Sequence, residues 1–239
     1  MALFFISDLH LSPEQPALAQ GFKDFLTDIN QQANALYILG DFFDSWIGDD
    51  EDHPFVQAIK DQLSIFSQQG HALYIQRGNR DFLMGEKFAA DIGGHLLGDE
   101  ALIEIAGQKV LLMHGDSLCT ADTEYMKFRA MVRGTAWQSQ ILAMPIAARR
   151  QLAQDLRSKS HSMNVTKAED IMDVSQDEVE NVMRKHRVNT LIHGHTHRPA
   201  VHHFMLDGLQ SNRFVLGDWG KTAWYIKADG KLELIEFPV

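Results

Sequence analysis

The chain has one cysteine, Cys119, in 239 residues. A single thiol cannot close an internal disulfide, which fits a reducing compartment, and it cannot build a thiolate metal site. Long apolar runs are absent too, and none approaches the roughly 18 residues needed to cross a bilayer. Basic residues are few, 22 against 32 acidic, for a formal net charge of −10. A broadly basic nucleic-acid surface is therefore not expected. The first residues, Met1–Asp8, lack a basic segment and soon reach a carboxylate, so a first strand is expected there and not a signal peptide. There is no internal repeat and no low-complexity tract.

What is present is a 45% hydrophobic chain of a length that suits one α/β domain with an insertion. Leu3–Ser7, Leu36–Leu39 and Leu73–Gln76 are short apolar runs that read as buried strands. Phe22, Phe25, Leu26 and Ile29 repeat with helical spacing between the first two, as do Phe55, Ile59, Leu63 and Phe66 between the second and third. This β-α-β-α-β order argues for an α/β sheet. Leu102–Ile105 and Val110–Met113 predict a hairpin around Gly107. Ser175 and Glu178 have capping-box spacing before a helical run, Thr190–His193 predicts another strand, and the region from about Ala200 to Phe237 predicts antiparallel strands.

Seven candidate metal ligands lie in five short motifs: Asp8 and His10, Asp41, Asn79, His114, and His195 with His197. All are oxygen or nitrogen donors, and each group follows an apolar run, so strand ends could gather them into one cleft. Asp8 and His10, two residues apart, would point the same way if they left a strand in strand conformation, and so would His195 and His197. Such a donor set suits two adjacent divalent cations, with Asp41 bridging them and Asn79 limiting the negative charge. Adjacent cations suit phosphoryl chemistry. The intervals between motifs are each about one βα unit, except the 81 residues from His114 to His195. The excess predicts an insertion at about 120–168.

That insertion is unusual in charge. Residues 127–167 carry eight basic side chains and one acid, for +7, while the rest of the chain is −17. The pattern suggests an anionic partner. Its apolar residues, among them Phe128, Trp137, Ile141 and Leu152, predict amphipathic helices broken at Pro145.

Asp-x-His, Gly-Asp, Gly-Asn-x-Asp, His-Gly-Asp and Gly-His-Thr-His, in that order over Leu3–Pro199, resemble the calcineurin-like metallophosphoesterase superfamily. The resemblance implies one domain over 1–239, a two-sheet β-sandwich core flanked by helices. It also implies that Asp8, His10, Asp41 and His197 hold one ion and that Asp41, Asn79, His114 and His195 hold the other. Many members have a histidine after the Asn, where it protonates the leaving alkoxide. Here Arg80 stands in its place. A guanidinium cannot be that acid, but it can clamp a phosphate. Arg80 therefore favours cleavage of a pyrophosphate, whose phosphate leaving group needs no proton.

Gly-Asn-Arg-Asp-Phe-Leu, Trp-Ile-Gly-Asp-Asp, Met-His-Gly-Asp-Ser-Leu-Cys-Thr, Ile-Met-Asp-Val and Ile-His-Gly-His-Thr-His-Arg-Pro-Ala-Val resemble a narrower family, the UDP-2,3-diacylglucosamine diphosphatases of lipid A synthesis in Gram-negative bacteria. This implies attack at the α-phosphorus, two Mn²⁺ ions, and catalytic roles for Asp41, Asn79, Arg80 and His195. It implies substrate contacts at Asn79, Arg80, Asp122, Tyr125, Ser160, Asn164, Lys167 and His195. The insertion would then act as a lid that shelters acyl chains and meets phosphates or the inner-membrane surface from the cytoplasmic side. The partner this resemblance implies is a nucleotide-linked glycolipid and not nucleic acid. A monomer is expected, although the sequence leaves oligomeric state open. Oxygen and nitrogen ligands also admit Mg²⁺, Fe²⁺ or Zn²⁺.

Plainer readings exist. Arg80 could simply pair with Asp81. His193, Asp44 and Asp116 read as supporting residues, Cys119 as a small buried side chain, and Asp122 and Tyr125 as the start of a helix. A soluble nucleotide or phosphoprotein phosphatase, or a scaffold without metal, would share the same fold.

Overall fold

A computed structural model describes residues 2–164 and 173–239, with side chains of residues 159–164 not described. In chain order the elements begin with β1 (Ala2–Ile6), α1 (Pro16–Ile29), β2 (Ala33–Leu39), α2 (Pro54–Gln68), β3 (Ala72–Gln76), α3 (Glu86–Asp91) and β4 (His95–Leu96). Next come β5 (Ala101–Ile105), β6 (Gln108–Leu112), α4 (Thr123–Val132), α5 (Thr135–Leu142) and α6 (Ile146–Asn164). The chain continues with α7 (Gln176–His186), β7 (Thr190–His193), β8 (Ala200–Leu206), β9 (Leu209–Val215), β10 (Thr222–Ala228) and β11 (Leu232–Pro238).

Two mixed sheets result. The first has the order β11-β10-β1-β2-β3-β4, and the second β5-β6-β7-β9-β8. Alternation along each strand explains why they stack. Phe4, Leu36 and Ile38 face one apolar layer with Phe22, Phe25, Ile59 and Leu63 of α1 and α2. Phe5, Tyr37 and Leu39 point the other way and meet Val110, Leu112, Ile192 and Phe214 of the second sheet. On that sheet's far face, Leu111 and Leu191 pack against Val179, Val182 and Met183 of α7. Both faces of each central strand are therefore buried, which is why these segments read as continuous apolar runs. Each fully buried large side chain contributes about 1.5–3 kcal/mol. Phe5, Tyr37, Tyr74 and His95 sit opposite one another on β1 to β4 and stack in series, with ring centroids 4.9, 4.6 and 5.5 Å apart.

The expected α/β two-sheet core is thus present. The β5–β6 hairpin turns through Ala106 and Gly107, both at positive φ. The capping box at α7 does not form as expected. The helix starts after Ser175, but its side chain makes no cap hydrogen bond, and its backbone N–H donates instead to Leu118 O at 2.8 Å. That bond ties α7 to the loop after β6, and a reciprocal Glu178 bond would have needed the same donor.

Helices α4, α5 and α6 lie between β6 and α7 in the chain. Gly134 separates the first two and Pro145 the last two. Among the described residues, their buried apolar side chains join the body's core and form no separate cluster. Val132 and Ile141 are buried in the layer outside the first sheet, and Phe128, Trp137, Met144 and Leu152 pack against it. The basic charge is largely met within the chain. Arg129 and Arg133 pair with Asp99 and Asp116, Arg149 with Asp50, Arg150 with Glu51 and Asp52, and Arg157 with Asp44. Much of the anionic partner suggested by the sequence is therefore the protein's own acidic loops.

Candidate metal centre and adjoining cavity

The first sheet's loops after β1, β2 and β3 carry Asp8, His10, Asp41 and Asn79. The second sheet's loops after β6 and β7 carry His114, His195 and His197. The cluster thus straddles the seam between the sheets. Eight non-glycine described residues have positive φ, and five of them are Asp8, His10, Asp41, His195 and His197, at 50 to 69°. Left-handed backbone at a non-glycine residue costs on the order of 1–3 kcal/mol and persists only where surroundings impose it. This corrects the expected reason for the x-separated pairs. Asp8/His10 and His195/His197 do converge, but by left-handed turns beyond the strands and not by strand alternation.

Hydrogen bonds impose that backbone. His10 N donates to Asp41 O at 3.0 Å, Asp8 N to Gly40 O at 3.1 Å, and Trp219 N to Asp8 O at 3.1 Å. Asp8 Oδ2 accepts from Ser7 Oγ at 2.6 Å and from His195 N at 2.9 Å. The fully buried Asp81 carboxylate accepts from Gly78 N at 2.6 Å, Phe42 N at 2.8 Å and Asp41 N at 3.3 Å, which locks the loops after β2 and β3 together. Gly78 and Gly194 permit the close approach. A Cβ on Gly78 would overlap the Asp41 carboxylate, and one on Gly194 would overlap Asp8 Oδ2 and Ser7 Oγ.

The donor atoms are tightly gathered. Those of Asp8, His10 and His197 lie within 4.8 Å of one another, as do those of Asp8, Asp41 and His114. The two Asp41 oxygens face opposite ways, Oδ2 toward His10 Nδ1 at 3.9 Å and Oδ1 toward His114 Nε2 at 3.6 Å. Asn79 Oδ1 lies 3.0 Å from His114 Nε2 and 2.8 Å from His195 Nδ1. His114 Nδ1 can only donate to Leu39 O at 2.9 Å, so in the neutral ring Nε2 presents a lone pair to the Asn79 oxygen. Two lone pairs face each other there unless a cation or proton intervenes. Buried Asp8 Oδ1 and His10 Nδ1 have no hydrogen-bond partner. Converging acceptors, orphaned atoms and an all-N/O donor set fit divalent cations.

The electrostatics agree for two of the four imidazoles, while facing carboxylates, Asp41 and Asp8 at His114 and Asp8 at His197, raise the other two against burial. Burial and the Arg80 charge push His10 down to about 2, and burial and His114 push His195 down to about 4, so both imidazoles are neutral and able to ligate. Burial raises Asp41 to about 7 against the pull of His114. Burial would raise Asp8 as well, but the His197, His114 and His10 rings facing it hold it well below the usual carboxylate range.

Arg80 is not a partner of Asp81. Its Nη1 donates to Asp44 Oδ1 at 2.9 Å and its Nε lies 3.4 Å from Asp41 Oδ2. Arg157 reaches Asp44 from α6, its Nη1 donating to the backbone oxygen at 2.9 Å. Both arginines line a cavity of about 960 Å³ that begins at Asp41, Asn79, His195 and His197. Its farther wall is apolar, with Trp46 and Phe82 from the body and Phe128, Trp137, Leu152 and Leu156 from α4–α6.

Asp122 and Tyr125 also line this cavity. Asp122 caps α4 by accepting from Tyr125 N at 3.0 Å, so its helix-start reading holds beside its place on the wall. The Tyr125 ring stacks on His195, with centroids 6.1 Å apart, and its hydroxyl donates to Asp116 at 2.7 Å. Burial keeps that phenol protonated far above its usual range. The side chains of Ser160 and Asn164, and all of Lys167, lie outside the described residues. His193 is buried, neutral and linked to Arg213, while Cys119 is buried with its thiol pushed up to about 12.

Sequence reasoning left Asp81 and Arg157 without a site role. Asp81 was visible in Gly-Asn-Arg-Asp, but two of its three backbone partners, Asp41 N and Phe42 N, lie in another loop. Arg157 was one of several basic residues in a charged stretch, and nothing in the sequence distinguishes it.

Residues 1–199 match the model of the calcineurin-like phosphoesterase family. A protein of Chromohalobacter salexigens named UDP-2,3-diacylglucosamine hydrolase is 54% identical over 230 residues, covering 96% of this chain and 94% of its own. Proteins of the same name from Cellvibrio japonicus and Pseudomonas putida are 49% and 47% identical, each alignment covering 95% of both chains. An archaeal phosphodiesterase structure aligns over all of both chains, with a TM-score of 0.50 at 13% identity, which shows a shared fold. With its motif loops at one seam and these matches over most of its length, the chain belongs to the calcineurin-like phosphoesterase family.

Proposed function

We propose that the chain hydrolyses the pyrophosphate of UDP-2,3-diacylglucosamine, releasing UMP and 2,3-diacylglucosamine 1-phosphate in lipid A synthesis. The observation that carries this is the continuity of two unlike regions. A cluster of carboxylates and imidazoles, bracketed by Arg80 and Arg157, opens directly into an apolar chamber of about 960 Å³. A diphosphate with a lipid on one side and a nucleoside on the other has both chemistries.

Asp8, His10, Asp41 and His197 would hold one divalent cation, and Asp41, Asn79, His114 and His195 the other, with Mn²⁺ as the proposed metal. When bound, such cations offset charge on a phosphoryl oxygen and make water a nucleophile at neutral pH. The chain's own groups do the rest. Arg80, held by Asp44, grips the diphosphate as a planar fork, and Arg157 adds a second guanidinium beside it. Water oxygen bonds to the α-phosphorus as its bond to the bridging oxygen breaks. The departing sugar 1-phosphate carries the charge away, so no side chain need protonate it. The attacking water's proton passes to solvent. Tyr125, stacked on His195, steadies that imidazole, and Asp122, Ser160, Asn164 and Lys167 are proposed substrate contacts. Helices α4–α6 act as the lid over the acyl chains.

No helix among the described residues is long and apolar enough to cross a membrane. Met131 and Leu142, exposed on α4 and α5, offer apolar contacts for peripheral binding at the cytoplasmic face of the inner membrane.

The test is product analysis with Mn²⁺ and ¹⁸O-labelled water. The label is expected in UMP. Label in the sugar phosphate would place attack on the other phosphorus. Release of UMP no faster than cleavage of a simple aryl phosphate would favour a soluble phosphatase on the same fold.

A further inference from the structure

A second cavity, of about 220 Å³, borders the loop that carries His195 and His197. Two facing pairs form its floor. Ala200 and His202 on β8 stand opposite Val215 and Arg213 on β9. Thr196 and Arg198 line this cavity and also the larger one, so a single loop separates the two.

Among the described lining residues two arginines stand against one acid. Asp173 is the one acid among the described lining residues, and its two oxygens are already engaged, Oδ2 by Arg198 Nη1 at 2.7 Å and Oδ1 by Val174 N at 2.7 Å. Arg213 is 7% exposed. Its Nη1 donates to His193 Nε2 at 3.2 Å, while His193 Nδ1 donates to Gly194 O at 2.8 Å. That imidazole is therefore a neutral acceptor and brings no negative charge. The Nε of Arg213 is buried with no hydrogen-bond partner. Asp173 offsets part of this charge from across the cavity, but a buried guanidinium whose hydrogen bond goes to a neutral ring remains costly, and the cost falls when an anion reaches it. A planar guanidinium donates two parallel N–H bonds to an oxyanion. His202 at the rim and the Thr196 hydroxyl supply further donors.

We infer that this cavity is a second anion site, built on Arg213 and His202, that takes a small tetrahedral oxyanion of the inorganic phosphate class. It has less than a quarter of the volume of the main chamber and is too small for the proposed lipid. The inference is independent of which phosphodiester or diphosphate the main site cleaves.

The experiment is calorimetric titration of the metal-loaded, full-length protein with inorganic phosphate, with chloride keeping ionic strength constant. Phosphate also reaches the cations in the main cavity, so the wild type should show two classes of site. Arg213→Gln should abolish one class, and His202→Ala should weaken that same class at least tenfold. The other class and the hydrolytic turnover should not change in either variant. Because Arg213 is buried and its variant can misfold, the exposed His202 decides in that event. One class of site in the wild type, or two undiminished classes in His202→Ala, would overturn the inference.

Discussion

The motif loops and helices α4–α6 line the same chamber, but different forces hold them. Around Asp8, Asp41 and His195 the backbone itself is constrained, with left-handed residues cross-tied by main-chain bonds and by the carboxylates of Asp8 and Asp81. Helices α4–α6 are joined to the body by apolar side chains and by arginines reaching acids far away in sequence, as Arg149 reaches Asp50 and Arg157 reaches Asp44. A short-range geometry of this kind keeps donor atoms in place to a fraction of an ångström, as reactive groups require. Packing and long flexible ion pairs tolerate change, as a binding wall for acyl chains can.

This contrast can be broken most severely at Asp41. Asp41→Ala is expected to empty the site of divalent metal, measured by elemental analysis, and to lower turnover by at least about 10³-fold. Retained metal and activity would end the two-ion reading. Arg80→Lys keeps the charge and loses the planar fork. A fall of about 10²-fold in kcat with normal metal content is expected. Next comes the apolar wall. Trp137→Ala should raise KM for the diacylated substrate about tenfold and leave hydrolysis of a short, soluble aryl phosphodiester unaltered. Equal losses on both substrates would show that the wall and the metal loops are not separable.

Arg149→Met probes how the helices are attached. The Arg149 guanidinium donates to Ile47 O at 2.7 Å as well as to Asp50, and its removal strands a buried carbonyl. A loss of about 1–3 kcal/mol is expected by denaturant titration, with metal content unchanged. The smallest effect concerns Cys119, whose thiol burial shifts from 9.0 up to about 12. A folded-state pKa raised in this way favours the fold below pH 9, and the benefit is lost as pH rises from 9 toward 12. At pH 8 alkylation should be slow in the native protein and rapid once unfolded, as mass spectrometry can follow. Rapid native labelling at pH 8 would contradict the buried thiol.

The same contrast explains what the sequence disclosed. Oxygen and nitrogen donors gathered in short glycine-punctuated motifs just after apolar runs made Asp8, His10, Asp41, Asn79, His114, His195 and His197 stand out. The apolar strand runs were legible because burial on both faces leaves no room for polar residues. What escaped was partnership over distance. The excess charge at 127–167 suggested an outside anion because Asp44, Asp50 and Asp99 could not be seen beside it. Ser175 and Glu178 matched a local pattern, but the Leu118 carbonyl, supplied by a different loop, took the donor first.

The division of the candidate ligands between the two sheets has a mechanical consequence. Asp8, His10, Asp41 and Asn79 belong to one sheet, and His114, His195 and His197 to the other. Bound cations would therefore rivet two halves that are otherwise joined by an apolar interlayer and a few hydrogen bonds across the seam, such as His195 N to Asp8 Oδ2 and His114 Nδ1 to Leu39 O. Any fluctuation that parts the sheets must also release metal. Loading the protein with cation should stiffen the whole sandwich, and slowed proton exchange in edge strands such as β11 and β5 would report it.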